Sequence, residues 1–219
     1  MKHYKTVLFD LDGTLLDTSK GILGAVKYAQ QQMNLPSLPD SRLREFIGPP
    51  PVESYKRIFG VDEAIAQQAA FFHRKYGSEH GLFEAQHYPG ISELLQNLKN
   101  SGRFLGVATL KREDTAQKIL AHFNLKQYFD VIAGIDTKEQ LSKSDIIQAA
   151  LKEMGQTNAS AVLIGDECVF IDDRMENIEG AEKAGVSFIG VTYGFGFSDA
   201  KDISPYASAD SPSQLLALL

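Results

Sequence analysis

The sequence has 219 residues, 43% of them hydrophobic, which is enough for one domain or for a domain with a smaller insert. Its formal net charge of -6 argues against nucleic-acid binding through a basic face, because a negatively charged surface repels phosphate backbones. No apolar run is long enough for a membrane span or a signal peptide, and the single cysteine, Cys168, excludes an intrachain disulfide. We therefore expect a cytoplasmic monomer or homodimer that binds neither nucleic acid nor membrane.

The chain begins with a strand and continues with helices. Residues 4–9 are short, β-branched and aromatic, and Asp10 and Gly13 end the run, which is typical of a buried strand. No further strand pattern follows before residue 83. Helices are predicted instead at residues 19–33, 41–47, 52–59 and 62–79. This all-helical stretch, residues 18–82, indicates an inserted helical cap.

From residue 89 onward, strand and helix alternate. The strand patterns are "FLGVAT", "DVIAG", "AVLIG" and "VSFIGV", and a helical pattern precedes each of them. Such alternation predicts an α/β fold, with a Rossmann-like parallel sheet and helices on both of its faces. Residues 1–17 and 83–219 would form this catalytic core domain, and residues 18–82 the cap.

Polar side chains follow the predicted strands, at the edge where an open parallel sheet binds ligands. Asp10 and Asp12 come after the first strand in "FDLDGT", and Thr109 comes after the second in "VATLK". Lys143 begins the helix after the third strand. Asp10 and Asp12 lie on the same side of the chain and repel each other unless a cation or a shared proton is present. Their hard oxygen atoms suit Mg²⁺.

The fourth strand can be placed in two registers, because two apolar runs follow each other. Residues 162–164 end in Gly165-Asp166, and residues 168–171 end in two adjacent aspartates. In the first register Asp166 is the metal ligand, and the second run becomes a short loop over the site. Asp172 or Asp173 would then orient a metal-bound water.

In the second register the later run is the strand. That strand would deliver Asp172 and Asp173 to the carboxyl edge of the sheet. We favour Asp166, because short connections between elements and buried strands are the commoner arrangement.

These motifs resemble those of the haloacid dehalogenase superfamily of phosphatases. "DLDGTLLDT" looks like the first motif of that family, and Thr109, Lys143 and the Gly165-Asp166 turn fall in the order of its other three. The stretch "AEKAGVSFIGVTYGFG" is similar to the phosphoglycolate phosphatase-like branch. The resemblance covers nearly the whole chain. In the second register, "DDRMENIEGA" reads like the fourth motif of that family, which implies Asp173 as the metal ligand and Asn177 as its partner. Both registers cannot hold at the family spacing, so the fourth motif departs from it by several extra residues.

The resemblance implies a role for each site residue. Asp10 would attack phosphorus and become an aspartyl phosphate, and Asp12 would act as general acid and then as general base. Thr109 and Lys143 would hold the phosphoryl oxygens. Mg²⁺ would bind Asp10, the backbone carbonyl of Asp12 and a carboxylate of the fourth strand.

The function expected from this resemblance is a Mg²⁺-dependent phosphomonoesterase. Its substrate would be a small phosphorylated metabolite of the phosphoglycolate or nucleoside 5′-monophosphate class. Arg44, Gly48 and Lys56 in the cap are candidates for contacts with the rest of the substrate. Three alternatives remain: a β-phosphoglucomutase-like phosphotransferase, a haloalkanoate dehalogenase, and a binding or regulatory protein of the same fold with impaired turnover.

Overall fold

The computed structural model describes residues 4–136, 140–157, 165–197, 203 and 206–219. The chain divides into two compact units, one of Met1–Leu16 with His87–Leu219 and one of Asp17–Gln86. The boundaries between the units fall at residues 16/17 and 86/87, whereas those predicted from the sequence were 17/18 and 82/83. Within the described residues, no helix combines the length and the apolar character that crossing a bilayer requires.

The first unit is built on a parallel sheet. Its strands are β1 (Thr6–Phe9), β4 (Phe104–Arg112), β5 (Val131–Ile135), β6 (Gly165–Asp172), β7 (Val186–Val191) and β8 (Ala207–Ala209). They lie in the order β5-β4-β1-β6-β7-β8, and each neighbouring pair is parallel. Two short strands, β2 (Leu16–Asp17) and β3 (Gln86–His87), form a separate sheet. All four residues of β1 are buried, as expected of a central strand covered on both faces.

The helices of this unit follow the strands in alternation. They are α5 (Ile91–Asn100), α6 (Glu113–His122), α7 (Lys143–Thr157), α8 (Ile178–Ala184) and α9 (Pro212–Leu218). In α7, Ile147, Leu151 and Met154 recur at helical spacing and are buried in a core that also holds Leu8 and Phe170. The predicted α/β fold with a Rossmann-like parallel sheet is confirmed.

The second unit is helical. Its helices are α1 (Ser19–Met33), α2 (Asp40–Leu43), α3 (Pro51–Phe59) and α4 (Glu63–Glu79). The predicted segment at residues 41–47 is split, because α2 ends at Leu43 and a 3₁₀ turn, Arg44–Phe46, follows it. Asp62 caps α4, since its side chain accepts a hydrogen bond from the backbone N–H of Ile65 at 2.9 Å. Tyr55 and Phe46 lie in the buried core of this unit, with ring centroids 4.9 Å apart.

The fourth strand of the sequence analysis is β6, and it occupies the later of the two apolar runs. Cys168 lies opposite Thr6, and Ile171 lies opposite Phe9, in the parallel pairing with β1. β6 lies between β1 and β7 in the sheet. Residues 168–171 are fully buried, and Cys168 and Phe170 belong to the hydrophobic core that also holds residues of α7. The prediction that this run forms a loop over the site is therefore wrong.

The preference for Asp166 as the ligand of the fourth strand is wrong for the same reason. β6 ends at Asp172, and Asp166 lies six positions earlier, about 20 Å back along an extended strand. The residue that follows Glu167 pairs with the first residue of β1, so Asp166 stands at the amino edge of the sheet. The carboxylates at the carboxyl edge are those of Asp172 and Asp173. Residues 162–164 lie outside the described part of the chain.

The extra residues of the fourth motif enter at the amino end of β6. Gly165 lies opposite Val186, and the next pair joins Val169 to Ser187, so four steps along β6 match one step along β7. From Val169 onward the two strands stay in register. The irregular spacing is thus absorbed far from the carboxyl edge, where the polar side chains lie.

Candidate active site

Three neighbouring strands deliver polar side chains to one edge of the sheet. Asp10 follows β1, Thr109 lies in β4, and Asp172 ends β6 with Asp173 directly after it. Lys143 is the first residue of α7. Because β1 lies between β4 and β6, the carboxyl ends of these strands meet. All five side chains are buried, which is unusual for charged side chains such as Asp and Lys unless they are paired or bind a ligand.

Lys143 is the centre of this group. Its Nζ lies 2.7 Å from Asp10 Oδ1 and 3.2 Å from Asp172 Oδ2, and it donates a hydrogen bond to the carbonyl of Ala108 at 3.3 Å. It also lies 5.1 Å from the centroid of the Phe170 ring. Burial lowers the pKa of this ammonium, but the two carboxylates outweigh burial and raise the pKa above its usual value. The side chain is therefore a permanent positive charge within the protein.

Asp172 has both of its carboxylate oxygens engaged by protein donors. Oδ1 accepts a hydrogen bond from the backbone N–H of Arg174, and Oδ2 accepts one from Asn177 Nδ2, each at 2.8 Å. Oδ2 also faces Lys143. Burial raises the pKa of Asp172 to about 8, although the positive charge of Lys143 opposes that rise. These contacts make Asp172 the partner that fixes Lys143 in place.

Asp173 differs, because only one of its oxygens is satisfied. Oδ2 accepts hydrogen bonds from the backbone N–H groups of Phe195, at 2.7 Å, and Gly196, at 3.3 Å. Oδ1 is buried and has no hydrogen-bond partner among the described residues. Burial and the charge of Asp10 raise the pKa of Asp173 to about 6. A buried carboxylate oxygen without a donor is suited to bind a cation.

The carboxylates of Asp10, Asp172 and Asp173 form one cluster. One oxygen from each lies within 4.8 Å of the others. With all three carboxylates ionised, the cluster and the ammonium of Lys143 would carry a formal charge of -3 + 1 = -2, and the raised pKa values of Asp172 and Asp173 show that burial opposes this charge. A divalent cation with a preference for hard oxygen ligands neutralises that charge, so the residues present fit Mg²⁺.

Asp12 has a partner that the sequence analysis did not predict. Lys111 Nζ lies 3.2 Å from Asp12 Oδ2, and both side chains are mostly buried. The backbone N–H of Lys111 also donates to Thr109 Oγ1 at 3.2 Å. The signal was present in "VATLK", because a side chain two residues after Thr109 in a strand points to the same face.

The turn that carries Asp12 packs against Asp173. Gly13, the next residue, has a φ of +90°, a conformation that L side chains rarely adopt. A Cβ atom at Gly13 would also overlap the Asp173 carboxylate. The glycine of "DLDGT" is thus required by backbone conformation and by space.

The three cap candidates lie in the helical unit. Arg44 begins the 3₁₀ turn after α2 and is exposed, and Gly48 has a φ of +109°. Lys56 is exposed on α3, and its Nζ lies 2.6 Å from Glu63 Oε2. Their contact with a substrate stays a prediction.

Known proteins are similar to this sequence over most of its length. The family model described as haloacid dehalogenase-like hydrolase matches residues 7–191. A 5′-nucleotidase from Pseudomonas aeruginosa is 36% identical over 198 residues, which cover 90% of this chain and 86% of that protein. The tyrosine-protein kinase PtkA from Mycobacterium tuberculosis is 34% identical over 197 residues, 90% of this chain and 65% of its own length. A phosphoglycolate phosphatase from Salmonella paratyphi A is 26% identical over 249 residues, with coverage of 100% and 94%.

The fold is also shared with solved structures. A predicted phosphatase from Clostridium acetobutylicum matches with a TM-score of 0.88 and 36% sequence identity, over 99% of this chain and 98% of that one. The residues matched by the family model include all the carboxylates described above together with Thr109 and Lys143. The chain therefore belongs to the haloacid dehalogenase-like hydrolase family.

Proposed function

We propose that this chain, a phosphatase by family, is a Mg²⁺-dependent phosphomonoesterase that works through an aspartyl phosphate on Asp10. The observation that carries the proposal is the buried cluster of Asp10, Asp172 and Asp173 around the ammonium of Lys143. The proposed substrate is a small phosphorylated metabolite, of the phosphoglycolate or nucleoside 5′-monophosphate class. The names of two relatives, a phosphoglycolate phosphatase and a 5′-nucleotidase, support that class.

Asp10 is proposed as the nucleophile. Its Oδ1 is fixed by the 2.7 Å ion pair with Lys143, which orients the carboxylate at the end of β1. A carboxylate oxygen attacks phosphorus, the bond from phosphorus to the leaving alcohol breaks, and an aspartyl phosphate forms. Lys143 and the hydroxyl of Thr109 stabilise the charge on the phosphoryl oxygens.

Asp12 is proposed as the group that moves protons. It gives a proton to the departing alkoxide in the first step, and it takes one from the attacking water in the second. That water displaces Asp10 from phosphorus, which releases inorganic phosphate and restores the carboxylate. The contact with Lys111, at 3.2 Å, keeps Asp12 from rotating away from this position.

Asp10, Asp173 and the backbone carbonyl of Asp12 are proposed to hold Mg²⁺. The Oδ1 atom of Asp173, which lacks a donor within the described chain, supports this assignment. When bound, the ion offsets negative charge on the phosphoryl group and on the attacking carboxylate.

A phosphotransferase is the second candidate, and the relative named tyrosine-protein kinase supports it. The two activities share the first step and differ in whether water or another hydroxyl takes the phosphoryl group. With p-nitrophenyl phosphate, a hydrolase releases nitrophenol and inorganic phosphate in equal amounts. A transferase that is given its acceptor releases nitrophenol in excess, so this ratio decides between the two.

We predict that Asp10→Asn abolishes phosphate release while the protein stays folded. An amide cannot serve as the nucleophile, and it is a weaker ligand for Mg²⁺. Phosphate release and far-UV circular dichroism would be measured on the same preparation. Substantial turnover by the folded variant would refute Asp10 as nucleophile.

We predict that Asp12→Asn slows turnover by about two to four powers of ten, because the proton transfers lose their catalyst. The loss should be larger for an alkyl phosphate than for p-nitrophenyl phosphate, whose leaving group needs little protonation. Rates for both substrates would be compared with those of the unaltered protein. An equal loss on both substrates would argue against the acid role.

We predict that Lys143→Met lowers both vanadate affinity and the free energy of unfolding, the latter by about 3 kcal/mol. The substitution keeps the length of the side chain but leaves Asp10 and Asp172 buried without their positive partner. Vanadate inhibition and urea denaturation would measure the two effects. Lys183→Met, on the surface of α8, is the matched control and should change neither. Unchanged vanadate inhibition in Lys143→Met would contradict the phosphate-binding role.

We predict that Asp173→Asn raises the Mg²⁺ concentration needed for half-maximal phosphate release by at least about tenfold. Asp166→Asn is the matched control, because it makes the same change at the opposite edge of the sheet. It should leave the Mg²⁺ requirement unaltered. The reverse result would contradict the assignment of Asp173 as a ligand of Mg²⁺.

A further inference from the structure

The segment after β7 makes several contacts with Asp173. It comprises Tyr193, Gly194, Phe195, Gly196 and Phe197, and we name it the clamp loop. Two of its backbone N–H groups donate to Asp173 Oδ2, and a third, from Phe197, donates to the Asp173 carbonyl at 3.1 Å. One carboxylate oxygen and the main chain of Asp173 are thus fixed by a single short loop.

The two glycines of the clamp loop are required by space. A Cβ atom at Gly194 would overlap the side chain of Asp173 and the carbonyl of Gly13. A Cβ atom at Gly196 would overlap the Asp173 carbonyl. Neither glycine has the positive φ seen at Gly13, so the restriction is the close approach of the loop to Asp173.

Tyr193 anchors the clamp loop at its other end. Its hydroxyl donates to the carbonyl of Thr14 at 3.1 Å, and its ring meets Tyr88 edge-on, with centroids 4.8 Å apart. Thr14 lies two residues after Asp12. The loop therefore connects Asp173 to the turn that carries the proposed acid and base.

We propose that the clamp loop positions Asp173 for cation binding, with Tyr193 and Gly194 as its positioning residues. By occupying Oδ2, the loop fixes the rotation of the carboxylate and leaves Oδ1 as the oxygen available to a divalent cation. Partners that orient a metal ligand typically change metal affinity by about 10- to 100-fold. This inference rests on the proposed function, because it takes Asp173 as a ligand of that site.

The test measures direct binding of Mn²⁺ to protein that is free of metal and phosphate. The electron paramagnetic resonance signal of the unbound ion reports how much Mn²⁺ the protein has taken up. Tyr193→Phe removes one hydroxyl and keeps the ring, and Gly194→Ala inserts a methyl group against Asp173. Each should weaken Mn²⁺ binding by about tenfold or more. Gly77→Ala in α4 is the matched control, because a Cβ atom there meets nothing within 4 Å.

A kinetic measurement accompanies the binding test. In Tyr193→Phe, the Mg²⁺ concentration for half-maximal phosphate release should rise, while kcat at saturating Mg²⁺ stays within a few-fold of the unaltered protein. A merely structural role would lower the thermal midpoint and leave this Mg²⁺ dependence unchanged. If Gly194→Ala does not fold, Tyr193→Phe decides alone.

Asp173→Asn separates failure of the inference from failure of the proposed function. If Asp173→Asn loses Mn²⁺ binding and the clamp-loop variants keep it, the loop does not position the ligand, although the metal site stands. If Asp173→Asn binds Mn²⁺ as the unaltered protein does, Asp173 is not a ligand. The metal site as proposed is then wrong, and the clamp-loop inference is wrong with it.

Discussion

The buried ammonium of Lys143 is the charge on which the rest of the site depends. Taking an ion out of water costs several kcal/mol, and three carboxylates together would not stay ionised in the interior of a protein. Lys143 bonds to Asp10 and Asp172 at once, and the two carboxylates keep its pKa high in spite of burial. Each group makes the burial of the others possible. The arrangement leaves a net negative charge, which either a bound divalent cation or protonation of a carboxylate must neutralise.

The parallel sheet explains why these residues meet although they are far apart in the sequence. Asp10 and Lys143 are separated by 133 positions, yet β1 lies directly beside β4 and β6, so their carboxyl ends converge. Each side chain is supplied by a strand end or by the first turn of the next helix. Such positions are fixed by the hydrogen bonds of the sheet and can change side chain without a change of fold. The site thus consists of individual side chains that a rigid edge of the sheet holds in place.

The parts of the site that could be predicted from the sequence are those with a local signal. Asp10 follows β1, Thr109 lies in β4 and Lys143 begins α7, and each of these elements has a plain apolar pattern. The helix at residues 19–33 also has the bounds that its periodicity predicts. The fourth strand was misplaced, because two adjacent apolar runs look alike locally and only pairing with β1 distinguishes them. Lys111 and the clamp loop were missed for a related reason. Backbone donors 22 and 23 positions from Asp173 leave no side-chain signal apart from the glycines that allow their approach.

The two adjacent aspartates at the end of β6 divide the work between them. Consecutive residues of an extended chain point to opposite sides, so Asp172 and Asp173 meet different neighbours. Asp172 turns to Lys143 and Asn177, which engage its oxygens, whereas Asp173 turns to the clamp loop, which engages one oxygen only. A carboxylate that binds a cation needs an oxygen without a protein donor, whereas a carboxylate that holds Lys143 is fixed best when both of its oxygens are hydrogen-bonded. From this difference we infer that Asp172 holds the lysine and that Asp173 holds the cation, with neither able to replace the other.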